Sequence, residues 1–281
     1  TICPPGYPAQ AEEMVERLAA IQAITEENGG VFLYVGVPTQ RTVFRDRYPE
    51  YLNSDGPRTE AQNAAFTQAL DQAGVSYLFL NEVYKQSTEP LTALYSPVDH
   101  HYTLKGAALG LEAVYEALER RGIGLSLPEL TFTSLDRTFL GTYNRRLYDL
   151  SPVQGTLWLY EAEALPSLTR LDDGKEVSPN VFSIPETSPV TYSAYMGGDV
   201  GETILQTNRP ALPKLLIVGD SFTNAIETMA WLSFDEMRSL DYRYYTGMDL
   251  SDYIRDYQPD VVLILRDESV YLNLTGNGDL K

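Results

Sequence analysis

The sequence has little cysteine, histidine and positive charge, and it contains no long hydrophobic run. Its one cysteine, Cys3, cannot form an internal disulfide and has no expected role at the extreme terminus. Because no run of about 18 apolar residues occurs, no segment predicts a transmembrane helix. The 21 Lys and Arg face 39 Asp and Glu, and the net charge of −18 argues against nucleic acid or an anionic membrane surface as a partner.

The remaining composition is that of an ordinary globular protein. The 281 residues are 43% hydrophobic and 21% charged, which is enough for one substantial core. The sequence starts at Thr1 without an initiator methionine. We therefore expect a mature or trimmed chain from which a signal or anchor segment has been removed.

An apolar run that ends in Gly-Asp-Ser is the most informative stretch. Leu215 to Val218 are apolar, Gly219, Asp220 and Ser221 follow, and 224–232 suits a helix. This order predicts a buried strand, a tight turn and a helix, which would place Ser221 at the carboxyl edge of a sheet. The alternative is structural, because Asp-Ser is also an ordinary helix N-cap.

Both histidines lie together in a second stretch, Asp99-His100-His101. A serine nucleophile needs a base near neutral pH, and a histidine oriented by a carboxylate commonly supplies it. The two stretches together therefore predict a Ser221, His101 and Asp99 triad. A zinc site at the same residues is the weaker alternative, because no third and fourth ligand follow nearby.

Helical and apolar segments alternate along most of the chain, which predicts a parallel α/β sheet. The predicted helices are 10–28, 59–73, 104–121, 224–232 and 250–257, and the predicted strands are 31–37, 75–80, 215–218 and 260–265. Residues 85–97 are predicted to be irregular, and 39–41 to be a polar loop or part of a cleft.

Residues 130–210 differ in composition from the rest of the chain. The segments 131–134, 156–160 and 190–192 are rich in β-branched and aromatic residues and predict strands, so we interpret 130–210 as a β-rich insertion. Its aromatic residues could stack on sugar rings, although packing in the core is the favoured role for each of them: Trp158, Tyr160, Tyr192 and Tyr195.

The motifs Gly219-Asp220-Ser221 and Asp99-His100-His101-Tyr102 resemble the DHHW family of extracytoplasmic proteins and the SGNH-hydrolase-like domains of the alginate O-acetylation proteins AlgX and AlgJ. As in that group, the Asp-x-His block precedes the serine block. The resemblance continues in 195–199, 240–245 and 259–265, and it covers most of the chain from about Val31 onward.

The resemblance implies a single SGNH-hydrolase-like α/β domain over 1–281, with a parallel sheet flanked by helices and the insertion at 130–210. It implies a bacterial, extracytoplasmic enzyme, secreted or membrane-anchored, that needs no cofactor or metal. Ser221, His101 and Asp99 would catalyse O-acetyl transfer or acetyl-ester hydrolysis on an exopolysaccharide or cell-wall glycan. An acetylated polysaccharide or oligosaccharide would be the partner, with a membrane-bound acyl donor as a further option. The competing function is non-catalytic carbohydrate binding or polysaccharide assembly.

Two residues depart from the family pattern. Tyr102 stands where the family usually has Trp, and Asp199 stands where similar proteins tend to have Asn. An anionic Asp199 would oppose a developing oxyanion, so we expect the Ser221 N–H, with that of Gly198, to receive it. The remaining candidate substrate contacts are His100 and Arg243, although a structural ion pair of Arg243 with Asp241 or Asp220 is favoured.

Overall fold

Helices and strands alternate along most of the chain. The computed structural model describes residues 7–150, 153–187 and 189–281, so Cys3 lies outside the described residues. The helices are α1 (Tyr7–Glu27), α2 (Gln40–Val43), α3 (Gly56–Ala73), α4 (Leu80–Gln86), α5 (Leu91–Leu94), α6 (Leu104–Glu119), α7 (Thr142–Arg146), α8 (Phe222–Ala230) and α9 (Leu250–Tyr257). The strands are β1 (Val31–Val37), β2 (Tyr77–Phe79), β3 (Thr131–Ser134), β4 (Trp158–Glu161), β5 (Thr169–Asp172), β6 (Lys175–Val177), β7 (Glu202–Gln206), β8 (Lys214–Gly219), β9 (Glu236–Leu240) and β10 (Val261–Asp267). Within the described ranges, no helix has the length and apolar character needed to cross a membrane.

A mostly parallel sheet forms the centre of the protein, which confirms the predicted fold class. Its strand order is β2-β1-β10-β8-β9-β7-β5-β6. The first five of these strands are parallel to one another, whereas β7 pairs antiparallel with β9, β5 with β7, and β6 with β5. β10 lies between β1 and β8, and all seven of its residues are buried, as expected for a strand covered on both faces.

The two faces of the sheet pack against different sets of helices. Successive strand residues point to opposite faces, so β1 divides its side chains between two hydrophobic clusters. Leu33 and Val35 join a cluster that contains residues of α6 and α8, whereas Phe32 and Tyr34 join one that contains residues of α1, α3 and α9. The chain thus forms a helix–sheet–helix arrangement in which α6 and α8 lie on the same side.

Several predicted boundaries are wrong. β2 is limited to three residues because Leu80 already begins α4, and the segment predicted to be irregular contains α5. Residues 190–192 form no strand; Tyr192–Ala194 is a 3-10 turn, and Val190 makes only an isolated bridge to Phe139. The β propensity of this segment therefore reflects side-chain packing and not strand pairing.

The segment 130–210 contributes to two sheets. β5, β6 and β7 extend the central sheet, while β3 and β4 pair separately. A single domain with 130–210 as a β-rich insertion stays a prediction.

The parallel strands bring three loops to one edge of the sheet. β1, β8 and β10 end at Val37, Gly219 and Asp267, and because they are adjacent and parallel, the residues that follow them lie close together. Helix α6 begins at this edge as well, where the Thr103 side chain accepts a hydrogen bond from the Gly106 N–H, as the sequence predicts.

We expect Gly219→Ala to lower the free energy of unfolding by about 1–3 kcal/mol, because overpacking forces backbone shifts of that cost. A Cβ at this position would lie 2.6 Å from the carbonyl oxygen of Leu265 in β10 and would also meet the Thr223 methyl group. Gly124→Ala is the matched control, since a Cβ there meets nothing within 4 Å. Equal urea unfolding midpoints for the two variants would contradict the prediction.

Candidate active site

Ser221 lies at the N-terminus of α8, where its own hydroxyl does not cap the helix. Asp220 takes that role instead, because its Oδ1 accepts the Phe222 N–H at 3.0 Å. The Ser221 hydroxyl is partly exposed and free to interact elsewhere. Within the described chain, no acceptor takes the Ser221 N–H. The structure therefore does not support the reading of Ser221 as a simple N-cap.

His101 connects Ser221 to Asp99 in one continuous chain of hydrogen bonds. Its Nε2 lies 2.8 Å from Ser221 Oγ, and its Nδ1 lies 2.6 Å from Asp99 Oδ1. Residues 120 positions apart in the sequence thus meet at the sheet edge. A carboxylate on Nδ1 favours the tautomer in which Nε2 is free to accept the serine proton.

Asp99 is held by backbone donors as well as by His101. It is buried, its Oδ1 accepts the His101 N–H at 3.1 Å, and its Oδ2 accepts the Thr142 N–H of α7 at 2.6 Å. Burial alone would favour the neutral acid, but the hydrogen bond and charge of His101, together with the Thr142 N–H, hold the pKa of Asp99 well below its usual value. Asp99 is therefore an anion over the physiological pH range.

His100 has a different environment from His101. It lines the cleft beside Ser221 and is partly exposed, with its ring 3.8 Å from that of His101. Burial, and then the charge of His101, lower the pKa of His100 to about 4, so it is neutral near pH 7.

Asp99, His100 and His101 also offer three ligand atoms within 4.8 Å of one another. However, both ring nitrogens of His101 are already hydrogen-bonded, one to Asp99 and one to Ser221. A metal would have to displace one of these partners. Within the described ranges, no further His, Cys, Asp or Glu side chain joins the cluster.

Asp220 and Asp267 are neighbouring carboxylates at the ends of β8 and β10. Both line the cleft, and Asp267 is engaged by the N–H and the hydroxyl of Ser269. Burial, followed by the charge of Asp267, raises the pKa of Asp220 to about 7, against the lowering effects of the Phe222 N–H and Arg243. The residue that precedes the nucleophile candidate is therefore partly protonated near neutrality.

The structure places Gly198 and Asp199 beside α8 and not free in the cleft. The Gly198 N–H donates to the Tyr195 carbonyl at 3.2 Å. Asp199 accepts hydrogen bonds from Asn224 at 3.1 Å and from Arg243 at 2.9 Å. The negative charge of Asp199 is thus paired, which reduces its opposition to an oxyanion near Ser221.

Arg243 and Tyr102 both make structural contacts. Arg243 pairs with Asp241 as well as Asp199, which confirms the favoured ion pair, and it also lines the cleft. Tyr102 is buried and donates its hydroxyl proton to the Phe222 carbonyl. Tyr102 therefore supports the start of α8 from inside the core.

The cleft next to Ser221 has a volume of about 560 Å³. Its walls include the segments that follow β1, β8 and β10, together with residues of α3 and α7, His100 and Arg243. Thr39, Gln40 and Arg41 belong to this wall, so the segment read from sequence as a loop or part of a cleft lies in the cleft. Two further groups that the sequence reasoning missed are Asp267 and Glu268, which follow a strand that was predicted to end at Leu265.

The aromatic residues singled out in 130–210 mostly pack inside the protein. Tyr160, Tyr192 and Tyr195 are buried, and Trp158 is partly covered by Lys105, whose Nζ lies 3.9 Å from the ring centre. Packing is thus the observed role for the three tyrosines.

A mostly parallel sheet with a serine at the start of a helix and an Asp-x-His loop beside it defines an SGNH-hydrolase-like protein. Residues 4–159 match the family described as ALGX, the SGNH hydrolase-like domain of the acetyltransferase AlgX. Because this match covers more than half of the sequence, the chain belongs to that family, and the predicted resemblance is confirmed. The family description supports an acetyltransferase type of function at the family level.

Solved structures share the fold at low sequence identity. Bacillus cereus PatB1 has a TM-score of 0.78 and 21% identity over 94% of this chain and 91% of PatB1. A DHHW family protein from Eubacterium siraeum has a TM-score of 0.74 and 20% identity over 94% of this chain and 86% of its own. The O-acetyltransferase domain of Pseudomonas putida AlgJ has a TM-score of 0.57 and 14% identity over 97% of this chain and 87% of the AlgJ chain. No curated protein sequence matches the chain.

We expect Asp220→Asn to gain more stability relative to the parent at pH 8 than at pH 4.5. Between its usual value of 3.8 and its raised value of about 7, Asp220 has lost its proton in the unfolded chain and kept it in the folded one, so the parent loses stability as pH rises through this window. Asparagine cannot ionise and keeps the acceptor for the Phe222 N–H. The free energy of unfolding of Asp220→Asn minus that of the parent, measured by urea unfolding, should be about 1–3 kcal/mol larger at pH 8 than at pH 4.5.

Asp256→Asn, at an exposed aspartate of α9, is the control for this comparison. A difference between Asp220→Asn and the parent that is the same at pH 4.5 and pH 8 would refute the assignment of a raised pKa to Asp220.

Proposed function

We propose that this protein is an extracytoplasmic serine-dependent enzyme that transfers or hydrolyses O-acetyl groups on an exopolysaccharide or a cell-wall glycan. The observation that carries the proposal is the unbroken chain from Ser221 through His101 to Asp99, with heavy-atom distances of 2.8 Å and 2.6 Å. These are hydrogen-bonding distances, as nucleophilic catalysis by serine requires. Membership of an acetyltransferase family supports the choice of acyl group.

In the proposed mechanism, His101 Nε2 accepts the proton of Ser221 as Oγ attacks the acetyl carbonyl. The resulting imidazolium is stabilised by the Asp99 carboxylate and returns the proton to the leaving oxygen, which leaves an acetyl-serine. An acceptor hydroxyl, or water, then gives its proton to the same nitrogen and takes the acetyl group. Ser221 is regenerated in this second step, and no further reactant is needed.

The Ser221 N–H is the first candidate donor for the oxyanion, because no acceptor in the described chain uses it. Gly198 can serve as a second donor only if its N–H leaves the Tyr195 carbonyl. Because the Gly198 N–H is already hydrogen-bonded, it is not free as a second oxyanion donor in this conformation. This observation favours the competing function, that of a carbohydrate-binding or polysaccharide-assembly protein with the same fold.

A glycan and an acyl-donor protein at the membrane are the proposed partners. The net charge of −18 favours neither nucleic acid nor an anionic membrane surface, so recruitment to a membrane would depend on protein contacts or an anchor. AlgX and AlgJ are the relatives on which this part of the proposal depends.

We expect the parent to release 4-nitrophenol from 4-nitrophenyl acetate, and we expect alanine at Ser221, His101 or Asp99 to lower kcat/KM by at least about a thousand-fold, since triad members act as a unit. A sulfonyl fluoride should also add to the parent but not to Ser221→Ala, as judged by intact mass. The precedent is PatB1, of which a structure with a sulfonyl adduct is 22% identical to this chain with a TM-score of 0.77.

His100→Gln serves as the comparison variant and should lose much less activity. His100 Nδ1 lies 3.6 Å from Asp99 Oδ1, beyond hydrogen-bonding distance, whereas His101 Nδ1 lies 2.6 Å from the same oxygen. Retained turnover in any of the three alanine variants would refute the triad. A folded parent that binds acetylated oligosaccharides but neither releases 4-nitrophenol nor reacts with the sulfonyl fluoride would favour the non-catalytic alternative.

Arg146 is the candidate to bind an acidic group of the acceptor. It lines the cleft and is exposed, and its charge is among the causes of the lowered pKa of His100. The other two arginines of the cleft, Arg41 and Arg243, are paired with carboxylates, whereas Arg146 has no carboxylate partner in the described ranges. A guanidinium without a partner matches the two oxygens of a sugar carboxylate.

We expect Arg146→Gln to raise KM for a carboxylated sugar acceptor by about five- to fifty-fold, as loss of a charged hydrogen bond implies. The KM for the corresponding neutral sugar and the release from 4-nitrophenyl acetate should change little. Arg145→Gln is the matched control, because Arg145 is an exposed arginine of the same helix, α7, that does not line the cleft. Its guanidinium donates a hydrogen bond to the Thr142 hydroxyl at 3.3 Å. Equal KM values for both variants would exclude this role.

A further inference from the structure

Tyr192 lies flat against the imidazole of His101. The two ring centres are 3.7 Å apart and the ring planes differ by 7°. Tyr192 comes from the 3-10 turn 192–194, far in sequence from both parts of the triad. It is only 8% exposed, so it is not available to stack on a sugar.

The hydroxyl of Tyr192 does not explain why a tyrosine is buried there. It is inaccessible to solvent and has no hydrogen-bond partner within the described residues. Burial also raises the pKa of Tyr192 well above its usual value, so the hydroxyl stays protonated and cannot act as a base near pH 7. What Tyr192 supplies at this position is the face of its aromatic ring.

That face matters because His101 changes charge during the reaction. When the imidazole takes the Ser221 proton, a cation forms against a ring whose face carries negative quadrupole charge. The attraction is larger for the cation than for the neutral imidazole, so it lowers the energy of the transition state more than that of the ground state. The two other rings against His101 among the described residues do not repel the new charge, because Phe222 is uncharged and His100 is neutral near pH 7.

Tyr192 also fixes the plane of the imidazole. Tyr195 packs edge-on against Tyr192 with ring centres 5.1 Å apart, and Tyr195 in turn donates to the Trp158 carbonyl at 2.9 Å. The imidazole is therefore held between Asp99 at one nitrogen and Ser221 at the other, with its flat side against an anchored ring.

We propose that Tyr192 is a positioning residue that holds the plane of His101 and stabilises its protonated form through its ring face. The catalytic consequence of this assignment rests on the proposed function. The effect of Tyr192 on the protonation of His101 does not depend on that function. Among the described residues, the charged and titratable side chains in contact with His101 are Asp99 at Nδ1, Ser221 at Nε2 and the rings of His100 and Tyr192. A substitution at Tyr192 leaves the other three side chains in place.

The test compares Tyr192→Phe, which keeps the ring face, with Tyr192→Leu and Tyr192→Met, which remove it. NMR titration of the two histidine side chains reads the effect directly, with His100→Gln used to assign them. We expect Tyr192→Phe to match the parent, and we expect the midpoint of the His101 titration to move to lower pH by roughly half a unit to one unit in the Leu and Met variants. The His100 titration should move less.

The catalytic readout is kcat for 4-nitrophenyl acetate against pH. In the Leu and Met variants, the plateau kcat should fall by roughly five- to thirty-fold, and the acidic limb of kcat/KM should shift to lower pH in parallel with the titration. Tyr160→Leu controls for the loss of a buried tyrosine from 130–210, the region that also contains Tyr192. The Tyr160 hydroxyl donates to the Thr228 carbonyl, so this variant should lower the free energy of unfolding without shifting the titration midpoint of either histidine.

Two results would overturn the assignment. One is a His101 titration that does not shift in the folded Tyr192→Leu and Tyr192→Met variants, and the other is a Tyr192→Phe variant whose kcat falls as far as theirs. Failure of the proposed function has a different signature. In that case, hydrolysis would be absent or independent of Ser221, while the NMR titration would still decide whether Tyr192 acts on His101.

Discussion

The hydrogen bond from the Phe222 N–H to the Asp220 carboxylate is the interaction on which the candidate site depends. A helix that begins directly after a strand leaves several N–H groups without partners, and a serine in that position would ordinarily bind one of them. Asp220 accepts this donor at 3.0 Å, so Ser221 directs its hydroxyl to His101. The arrangement has an energetic cost, because Asp220 is held close to Asp267 in a buried environment that disfavours its charge.

The rest of the site is assembled by backbone geometry as much as by side chains. Gly141 approaches the Val98 carbonyl so closely that a Cβ could not fit, and this contact lets the Thr142 N–H reach Asp99. On the other side, the Thr103 cap starts α6 immediately after the histidines. Asp99 and His101 are thus fixed from both ends of one loop, and Tyr192 covers the imidazole from a third segment.

Local sequence signals predicted the parts of the structure that depend on short stretches of chain. The bounds of β1 and α9 agree with the predictions because Gly, Pro and apolar spacing mark them. The two sequence motifs also contain Ser221, His101 and Asp99, which the fold brings within hydrogen-bonding distance. Contacts between distant segments were not predictable. The Thr142 N–H on Asp99 and the Tyr192 ring on His101 have no sequence period, and 190–192 has strand composition but forms a 3-10 turn.

The position of β10 has a consequence for when the candidate site can form. Among the described residues this strand is the last along the sequence, yet it occupies the middle of the sheet. It lies between β1, which precedes the histidine loop, and β8, which leads to Ser221. Until β10 inserts, β1 and β8 have no strand between them, so the sheet edge at which the histidine loop and Ser221 meet is incomplete. We therefore expect Ser221 and His101 to reach their hydrogen-bonding distance late in folding, after β10 has joined the sheet.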